Sequence, residues 1–486
     1  MTAALSHSLA PIGVRCLRAA RETHGPRPLK TVSGAIPADL NGRLYRVGPG
    51  RFERDGAPLG HWFDGEGLCV MVELAGGAAT ATVRYVADEA RADYAALGRL
   101  GVAPSFVRRL RSVWSWRDYA NLANTALLFW GERLFALYEA AAPVEIDPDT
   151  LDVVGETALG VVRRAFSAHP KRHRPSGAWI NQGFRVLPSP AMDYYALRPD
   201  GRAARLGAAA YKGGSLTHDF ALTDRWIATI SPPAFARKFD DLFRGVALSE
   251  GLDWRGDEPT EIVLTGIGPN GALEPARRAR IEAPSFFYSH TAQAFDDGED
   301  VVIHGVAADD GGGMEWVKAI RPDATSLPRP SPMRLVEIRL SPNRGTATTR
   351  VLAERRIDFP AVDAAAPRAR YVYAAGFADE AAAYTDFFDA WVKIDVETGA
   401  AQPAAPISGE GSRRFVSEPT FVPRPDPKAE DDGWILSLFY DADADETRLA
   451  IVDAFGDAWG APVAEVSLGQ PLPMSFHGVW RPASEP

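Results

Sequence analysis

Short runs of alternating apolar and polar residues dominate the chain, and many come in pairs joined by a tight turn. Six such pairs lie at 144–156, 194–206, 262–281, 335–352, 391–403 and 436–452. Several of their turns contain Asp-Gly, Asn-Gly or Thr-Gly, which are typical of β-hairpins. Amphipathic helices do not separate the two runs of a pair. The pattern therefore predicts an all-β fold built from repeated hairpins.

A β-propeller fits this pattern better than other all-β architectures, because radial repetition lets a chain of 486 residues remain one domain. The paired runs share turn chemistry rather than sequence, so the number of blades does not follow from the pattern. No segment has the composition of a linker. We expect residues 1–33 to form an N-terminal extension and residues 34–486 to form a single propeller domain.

One segment departs from the β pattern. In SFVRRLRSVWSW (105–116), Phe106, Leu110, Val113 and Trp114 recur at helical spacing with arginines between them. This spacing predicts a short basic amphipathic helix. Such a helix either packs over the propeller or lies in a membrane interface. In the second case, the four apolar side chains are the membrane contacts.

Composition and charge narrow the classes of function. The net charge of −10 argues against a nucleic-acid partner. The two cysteines, Cys16 and Cys69, exclude a disulfide framework and a cysteine-built metal site, and they favour a reducing compartment. No apolar run has the length of a signal peptide core or of a membrane span. We expect a cytoplasmic protein, with membrane association resting on 105–116 and no protein partner implied.

Four of the nine histidines have similar surroundings, because each adjoins an aromatic or apolar stretch. They are His169 (FSAHP), His218 (SLTHDF), His290 (FFYSH) and His477 (SFHG). One histidine in such a stretch is more often a hydrogen-bonded core residue than a metal ligand. In a propeller, however, the inner strands of distant blades converge on the axis, so the four side chains can share one metal. Imidazole suits iron, copper, zinc or nickel, so the residues alone do not name the metal.

Three acidic residues are candidate partners for these imidazoles. Glu139 (FALYEAAAP), Asp358 (RIDFP) and Glu418 (VSEPTF) lie in apolar or proline-bounded segments. A carboxylate that accepts the outer N–H of an imidazole fixes its tautomer and balances the charge of a metal. The same acids can instead cap strands or pair with arginine. The five remaining histidines have other expected roles: His7 and His24 lie in the N-terminal segment, His61 orders a turn, His173 lies in a proline-bounded loop, and His304 lies in a strand.

Taken in order, these segments resemble the carotenoid cleavage oxygenases. The resemblance runs from about residue 34 to residue 482. Seven motifs carry it, in the order ANTALLFWGERLFALYEAAAP, FSAHP, LTHDF, FFYSH, IDFP, SEPTF and SFHG. Each motif alone is common, but seven in the family's order are specific.

The resemblance implies a seven-bladed propeller with a cap of loops and helices over iron(II) on its axis. It implies that His169, His218, His290 and His477 bind the metal. The implied hydrogen-bonded pairs are His218 with Glu139, His290 with Asp358, and His477 with Glu418, whereas His169 has no carboxylate partner. Thr125 (ANT) matches a threonine beside the open coordination positions and is the one candidate catalytic residue outside the metal shell.

The resemblance also implies a reaction, in which dioxygen cleaves one carbon–carbon double bond of an apolar apocarotenoid to give two carbonyl products. Three alternatives remain open: cleavage of a stilbene or other phenylpropanoid alkene, isomerisation without oxygen, and a metal- or ligand-binding propeller without oxygenase activity. Stilbene-cleaving members typically carry a lysine just before the first glutamate of the set. Here that residue is Tyr138, which favours an apocarotenoid substrate.

Aromatic residues near the motifs are candidates for lining the substrate site, and some of them are expected to be plain core. They are Tyr138, Phe166, Phe286, Phe287, Tyr288 and Phe476. Three departures from the family pattern stand out. Asp358 replaces the usual glutamate, so its shorter arm must either draw the backbone toward His290 or leave a water between them. Val47 replaces a common asparagine, and Gln293 and Asp296 stand where asparagine and glutamate are usual.

Overall fold

The computed structural model describes residues 11–54, 57–58, 61–86, 121–163, 165–185, 189–211, 213, 215–236, 252–404 and 413–483. Within these ranges, seven sheets of four to six antiparallel strands form the blades of a β-propeller. The seven-bladed architecture agrees with the fold that the motifs imply. We number the blades I to VII from the first to the last along the chain.

The first four blades take the following strands. Blade I contains β1 (His24–Pro28), β3 (Gly42–Arg51), β6 (Glu66–Ala75), β7 (Ala78–Tyr85) and β35 (Gly478–Pro482). Blade II contains β8 (Ala126–Trp130), β9 (Arg133–Leu137), β10 (Val144–Ile146) and β11 (Val153–Glu156). Blade III contains β12 (Lys171–Arg172), β13 (Trp179–Arg185), β14 (Ala191–Leu197) and β15 (Ala203–Ala209). Blade IV contains β16 (Phe220–Leu222), β17 (Trp226–Ser231), β20 (Thr260–Ile267) and β21 (Leu273–Ala283).

The remaining elements complete the ring. Blade V contains β22 (Phe287–Asp297), β23 (Asp300–Ala308), β24 (Arg334–Ser341) and β25 (Thr346–Ala353). Blade VI contains β26 (Ile357–Ala361), β27 (Tyr371–Gly376), β28 (Ala390–Asp395) and β29 (Ala401–Ala404). Blade VII contains β2 (Lys30–Gly34), β30 (Arg414–Val416), β31 (Thr420–Pro423), β32 (Gly433–Asp441), β33 (Glu446–Asp453) and β34 (Pro462–Ser467). Outside the blades lie two short sheets, formed by β4 (Glu53–Arg54) with β5 (Ala57–Pro58) and by β18 (Ala234–Ala236) with β19 (Leu252–Trp254). The helical segments of the described ranges are α1 (Gly312–Ala319) and three 3-10 turns at Gly13–Cys16, Trp62–Asp64 and Gly456–Ala458.

All six hairpins predicted from the alternating pattern are confirmed. They are β10–β11, β14–β15, β20–β21, β24–β25, β28–β29 and β32–β33. In four of them a turn glycine has a positive φ angle; Gly201 and Gly399, for example, have φ angles of 80° and 75°, which side chains with a Cβ rarely adopt. The residues that predict each hairpin therefore lie within the hairpin itself, and they were sufficient to predict all six.

Both ends of the chain close the ring. The C-terminal β35 pairs with β3 in blade I, and the N-terminal β2 pairs with β34 in blade VII. The β1 strand adds to blade I beside β7. Residues 24–33, assigned from the sequence to an N-terminal extension, thus contribute strands to the two blades at the closure. No alternating pattern in this segment distinguishes it from a loop, since its partners lie elsewhere in the chain.

The apolar core is divided among the interfaces between adjacent blades. One cluster joins blades III and IV, for example, and the next joins blades IV and V. The innermost strands of neighbouring blades also contact one another, as β12 does with β16, β16 with β22, and β22 with β26. Residues on these strands therefore face a common axis although they are far apart in the sequence.

No helix in the described ranges is long and apolar enough to cross a membrane. The helix predicted at 105–116, with Phe106, Leu110, Val113 and Trp114, lies outside the described residues. The helix α1, which the alternating pattern did not predict, lies between β23 and β24 of blade V. Two of its side chains, Met314 and Trp316, are buried and face the site described next.

Candidate metal centre

Four histidines converge on the propeller axis because each is held at or beside the innermost strand of a blade. His169 and His218 each lie two residues before such a strand, in blades III and IV, and His477 lies one residue before β35 in blade I. His290 lies within β22 of blade V. The four positions span most of the chain, and the closed ring brings them together.

The imidazole rings meet through their Nε2 atoms. The Nε2 of His218 lies 2.9 Å from the Nε2 of His169 and 3.3 Å from the Nε2 of His290. One ring nitrogen from each of His169, His290 and His477 lies within 4.8 Å of one in the others. Neighbouring ring centroids are 4.5–5.2 Å apart, and the ring planes are inclined by 67–83°. The set is therefore compact enough to surround a single ion.

Three of the four imidazoles bind a carboxylate through the opposite nitrogen. The Nδ1–H groups donate over 2.7 Å in all three pairs, which are His218 with Glu139 Oε2, His290 with Asp358 Oδ1, and His477 with Glu418 Oε1. In the described part of the chain, no carboxylate lies within 4 Å of the ring nitrogens of His169. The three contacts match the pairs that the resemblance implies.

These contacts determine which nitrogens are available to a metal. An ionised carboxylate only accepts hydrogen bonds, so the Nδ1 atoms of His218 and His290 must carry the proton. Their Nε2 atoms, 3.3 Å apart, then both present lone pairs if the rings are neutral. Two lone pairs at this distance repel each other, and a shared cation removes the repulsion. The residues therefore fit a divalent metal with nitrogen ligands.

Burial and the paired groups act in opposite directions on the pKa values of His218, Asp358 and Glu418, but not on that of His169. Burial and the neighbouring imidazoles hold the pKa of His169 well below its ordinary value. Burial also lowers the pKa of His218, but Glu139 outweighs it, so this pKa lies above its ordinary value. For Asp358 and Glu418, burial raises the pKa, but the paired imidazoles outweigh burial and hold the pKa of both below the ordinary value. Both carboxylates are thus ionised acceptors at neutral pH.

Asp358 reaches His290 directly, and the strand that carries it is irregular at this point. The pairing of β26 with β27 shifts register between Asp358 and Ala361. The intervening Phe359 has a φ of 54°, a conformation that costs free energy for a bulky side chain. Its N–H and the hydroxyl of Ser289 also donate to Asp358 Oδ1, at 2.8 and 2.9 Å. The shorter side chain thus contacts the imidazole of His290 directly, at 2.7 Å, with no gap for a bridging group.

A largely apolar cavity opens beside the histidines. The cavity and its mouth enclose about 1430 Å³, and His218, His290 and His477 form part of its wall. The opposite walls are aromatic, with Trp62, Phe387, Phe388 and others packed closely. An apolar pocket with few convergent polar groups is typical of a small-molecule site. This one is suited to a hydrophobic substrate held against a metal.

The family model of the retinal pigment epithelial membrane protein (RPE65), the carotenoid oxygenase family, matches residues 17–482, which is nearly the whole chain. The chain belongs to the carotenoid oxygenase family. Among curated relatives, it is 27% identical to apocarotenoid-15,15'-oxygenase of Synechocystis, over 93% of this chain and 92% of that one. It is 26% identical to resveratrol cleavage oxygenase 1 of Aspergillus fumigatus, over 92% and 91% of the two chains. The solved structure of cobalt-substituted Synechocystis apocarotenoid oxygenase is 25% identical, with a TM-score of 0.81 over 97% of this chain and 98% of that one.

The carotenoid oxygenase brings most, but not all, of the predicted lining residues to the cavity. Tyr138, Phe287, Tyr288 and Phe476 line it, as does Thr125, whose hydroxyl donates to Asn124 Oδ1 at 3.0 Å. Thr125 also accepts a hydrogen bond through its carbonyl from the N–H of His477, at 3.3 Å.

Two predicted lining residues belong to the core instead. Phe166 packs between blades II and III, and Phe286 packs between blades IV and V, next to Tyr288. Neither is among the described residues that line the cavity. Phe286 lies just before β22, and its side chain packs in the cluster between the blades, whereas Phe287, the first residue of β22, lines the cavity.

The sequence reasoning missed several wall residues. They are Trp62 in the 3-10 turn at Trp62–Asp64, Trp316 and Met314 in α1, and Phe387 and Phe388 in the loop before β28. Trp62 lies in the segment HWFDGEG (61–67), whose adjacent Trp and Phe were an available signal. The others lie between strands and carry no motif.

The side chains of the departures other than Asp358 have their own local partners. Val47 is fully buried in an apolar cluster, and its backbone pairs with His477 O and Phe476 N. Gln293 donates to His304 Nδ1 and Ala369 O.

The other departure and the other histidines have local partners. Asp296 accepts from Thr223 and pairs with Arg225. His61 accepts from the N–H of Phe63 in a 3-10 turn, as expected for a residue that orders a turn. His304 lies in β23, as predicted, and His173 bonds to Ser176 in its loop.

Proposed function

We propose that this carotenoid oxygenase is an iron(II) dioxygenase that cleaves one double bond of an apocarotenoid to give two carbonyl products. The observation that carries the proposal is the cluster of imidazole Nε2 atoms, three of whose rings lie in the wall of an aromatic cavity. His169, His218, His290 and His477 would hold the metal. With these four side chains as its ligands, the ion would have room for dioxygen and for water or a substrate contact.

Iron is the metal that best fits both the donor set and the reaction. Imidazole ligands suit several divalent metals, but zinc has no redox chemistry. Iron(II), when bound, supplies the one-electron chemistry that lets triplet dioxygen react with a spin-paired alkene. The two cysteines lie in apolar clusters, and burial raises the pKa of each thiol to about 12. Neither is suited to be a ligand.

The contribution of the chain is positioning. Glu139, Asp358 and Glu418 hold three imidazoles in the tautomer that directs Nε2 inward. Phe359 packs on the rings of His290 and His477, with centroids 5.3 and 5.4 Å apart, which limits the rotation of both rings. The aromatic walls bind an isoprenoid chain through burial of apolar surface and exclude water from the reacting bond. No acid or base of the chain is required beyond the metal shell.

Tyr138 supports an apocarotenoid rather than a hydroxystilbene as the substrate. It lines the cavity next to Glu139, at the position where stilbene-cleaving members of the family typically carry lysine. A buried lysine without a phenolate partner would carry a desolvation cost. An aromatic side chain suits an apolar polyene, which has no acidic phenol.

We further propose that the segment 105–116 contacts a membrane. The proposal rests on its sequence, in which apolar residues alternate with arginines that suit anionic headgroups. Apocarotenoids partition into lipid, so an enzyme that draws them from a bilayer needs an apolar contact with it.

The substrate proposal is tested by comparing kcat/KM of the iron-loaded protein for an apocarotenal and for a hydroxystilbene, with products identified by mass. We expect turnover of the apocarotenal and little or none of the hydroxystilbene. The Tyr138→Lys variant should lose activity on the apocarotenal, whereas the Tyr138→Phe control should keep it. A clear preference of the unmodified protein for the hydroxystilbene would contradict the proposal.

A further inference from the structure

We propose that Arg46 sets the charge balance of the metal centre and thereby favours the divalent over the trivalent state of the bound ion. This inference rests on the iron site proposed above. Arg46 is not among the described residues that line the cavity, and its contact with the metal site is the hydrogen bond to Glu418. Arg46 would therefore act on the metal through Glu418.

Arg46 is completely buried and uses its whole guanidinium group. It lies on β3, opposite Gly478 of β35. Its Nη1 donates to Glu418 Oε2 at 2.9 Å, its Nη2 donates to Phe476 O at 2.6 Å, and its Nε donates to Ser475 Oγ at 3.2 Å. A Cβ at Gly478 would lie 2.4 Å from Cδ of Arg46, so the glycine makes room for the arginine side chain.

Glu418 differs from the other two carboxylates because it also pairs with an arginine. Its Oε1 accepts from His477, while its Oε2 accepts from Arg46 and from the N–H of Gly478. Asp358 accepts from neutral groups besides its imidazole. In the ranges that the structure describes, Arg46 is the only arginine or lysine within 4 Å of Glu139, Asp358 or Glu418.

Counted over the ion, the three paired carboxylates and Arg46, the formal charges sum to zero for a divalent ion; Asp64 on the cavity wall is half-buried and is common to both states of the ion. Three ionised carboxylates give −3, Arg46 gives +1, and a divalent ion gives +2, while neutral imidazoles add nothing. The neighbouring Lys171 and Asp219, whose Nζ and Oδ1 are 2.9 Å apart, cancel each other. A net charge in a buried region is costly because the surroundings screen it poorly. The arrangement with Arg46 is therefore balanced for the divalent ion and carries +1 with the trivalent ion.

Removing Arg46 reverses this preference. Without the guanidinium, the cluster carries −1 with the divalent ion and is neutral with the trivalent ion, so oxidation becomes easier. A residue that only positioned Glu418 would not have this signature, because the balance depends on charge rather than on hydrogen bonding. Removing the carboxylate charge at Glu418 should have the opposite effect, and removing both charges together should restore the balance.

The experiment measures the midpoint potential of the iron-loaded protein by anaerobic titration with mediators, following the ferric EPR signal in the absence of substrate. Arg46→Met should favour ferric iron at least tenfold, a fall of about 59 mV for a one-electron couple. Glu418→Gln should raise the potential, and the double variant should return close to the unmodified protein. Arg205→Met is the matched control. Arg205 lies on β15, the outer strand of blade III, and pairs with the buried Asp193 of β14. This variant should leave the midpoint potential unchanged.

Two results would overturn the proposal: an Arg46→Met potential equal to that of the unmodified protein, or a double variant shifted as far as Arg46→Met. If Arg46→Met does not fold or retain iron, Glu418→Gln decides, and an unchanged or lowered potential in that variant is equally contrary. Iron content and circular dichroism are recorded for each variant. Because no substrate is used, the result is independent of whether an apocarotenoid is cleaved.

Discussion

Replacement of Asp358 by asparagine should weaken metal binding about tenfold while leaving the propeller folded. The side chain is one atom shorter than the glutamate usual in the family, yet its Oδ1 accepts from His290 Nδ1 at 2.7 Å. Asparagine has nearly the same shape and retains a carbonyl oxygen that can accept the same hydrogen bond. The change therefore removes charge and little else.

The magnitude follows from the hydrogen bonds at one oxygen. A hydrogen bond to a charged group contributes about 1.5–3 kcal/mol, and a neutral one about 0.5–1.5 kcal/mol. The loss at the His290 contact is then about 1.4 kcal/mol, which corresponds to about tenfold in affinity. Ser289 and Phe359 also donate to this oxygen, so their bonds weaken as well and tenfold is the lower end of the expected range. Asp358→Glu keeps the charge and should retain more of the affinity than asparagine does.

The assay is an anaerobic competition titration that gives the Kd for iron(II), with cobalt(II) as a second probe. Glu337→Gln is the matched control, because Glu337 also lies beside a buried imidazole, 3.6 Å from His304 Nε2, and is similarly buried. The control should bind metal like the unmodified protein. An Asp358→Asn variant with unchanged Kd would refute the reasoning, because the carboxylate would then be structural and would not influence the imidazole as a ligand.

Three further predictions follow from the same structure. Alanine at His169, His218, His290 or His477 should lower iron content and abolish activity, whereas His173→Ala and His304→Ala should retain both; full activity after loss of any of the four would overturn the assignment. Burial lowers the pKa of His304 from 6.5 to about 4, so the unfolded chain takes up this proton first as the pH falls. The unmodified protein should therefore lose about 3 kcal/mol of stability between about pH 6.5 and pH 4 that His304→Gln does not lose, and parallel curves of unfolding free energy against pH would contradict this. Changing Phe106 and Trp114 to serine should weaken flotation with anionic liposomes but leave cleavage of detergent-solubilised substrate intact, and unchanged flotation would return the segment to a packing role.

The hairpins could be predicted from the sequence because their signals are local. Turn residues such as Gly201 and Gly399 act within a few positions of the strands that they join. The pairing of β2 with β34, by contrast, joins segments more than 400 residues apart, and neither carries a pattern that names the other. Closure of the ring therefore became visible only in the structure.

The candidate site likewise has residues that could be predicted from the sequence and residues that could not. Motif order predicted the four histidines and the three acids, and the structure places these side chains together at the axis, where three histidines each pair with one of the acids. Proximity in sequence to a ligand was not enough for the cavity wall, as Phe166 and Phe286 belong to the core while Trp316 and Phe387 line the cavity. Those two wall residues lie between strands, where long-range packing decides which side chains meet.

The contact between Arg46 and Glu418, on which the proposed charge balance rests, also could not be predicted from the sequence. Arg46 lies more than 370 residues from Glu418 in the sequence, and nothing in the local pattern of β3 indicates a fully buried guanidinium. Its proposed role depends on its contact with Glu418, which lies between β30 and β31 of blade VII, and only the closed ring brings that residue to β3 of blade I.

The central claim is that four histidines hold an iron centre that uses dioxygen to cleave a double bond in the adjoining cavity. The most direct measurement follows oxygen uptake and products together, with iron-loaded protein and an apocarotenal in detergent. We predict one dioxygen consumed for each double bond cleaved, two carbonyl products, and no uptake or cleavage by the His290→Ala variant. An isomerised or unchanged substrate without oxygen uptake, from protein that retains its iron, would contradict the account.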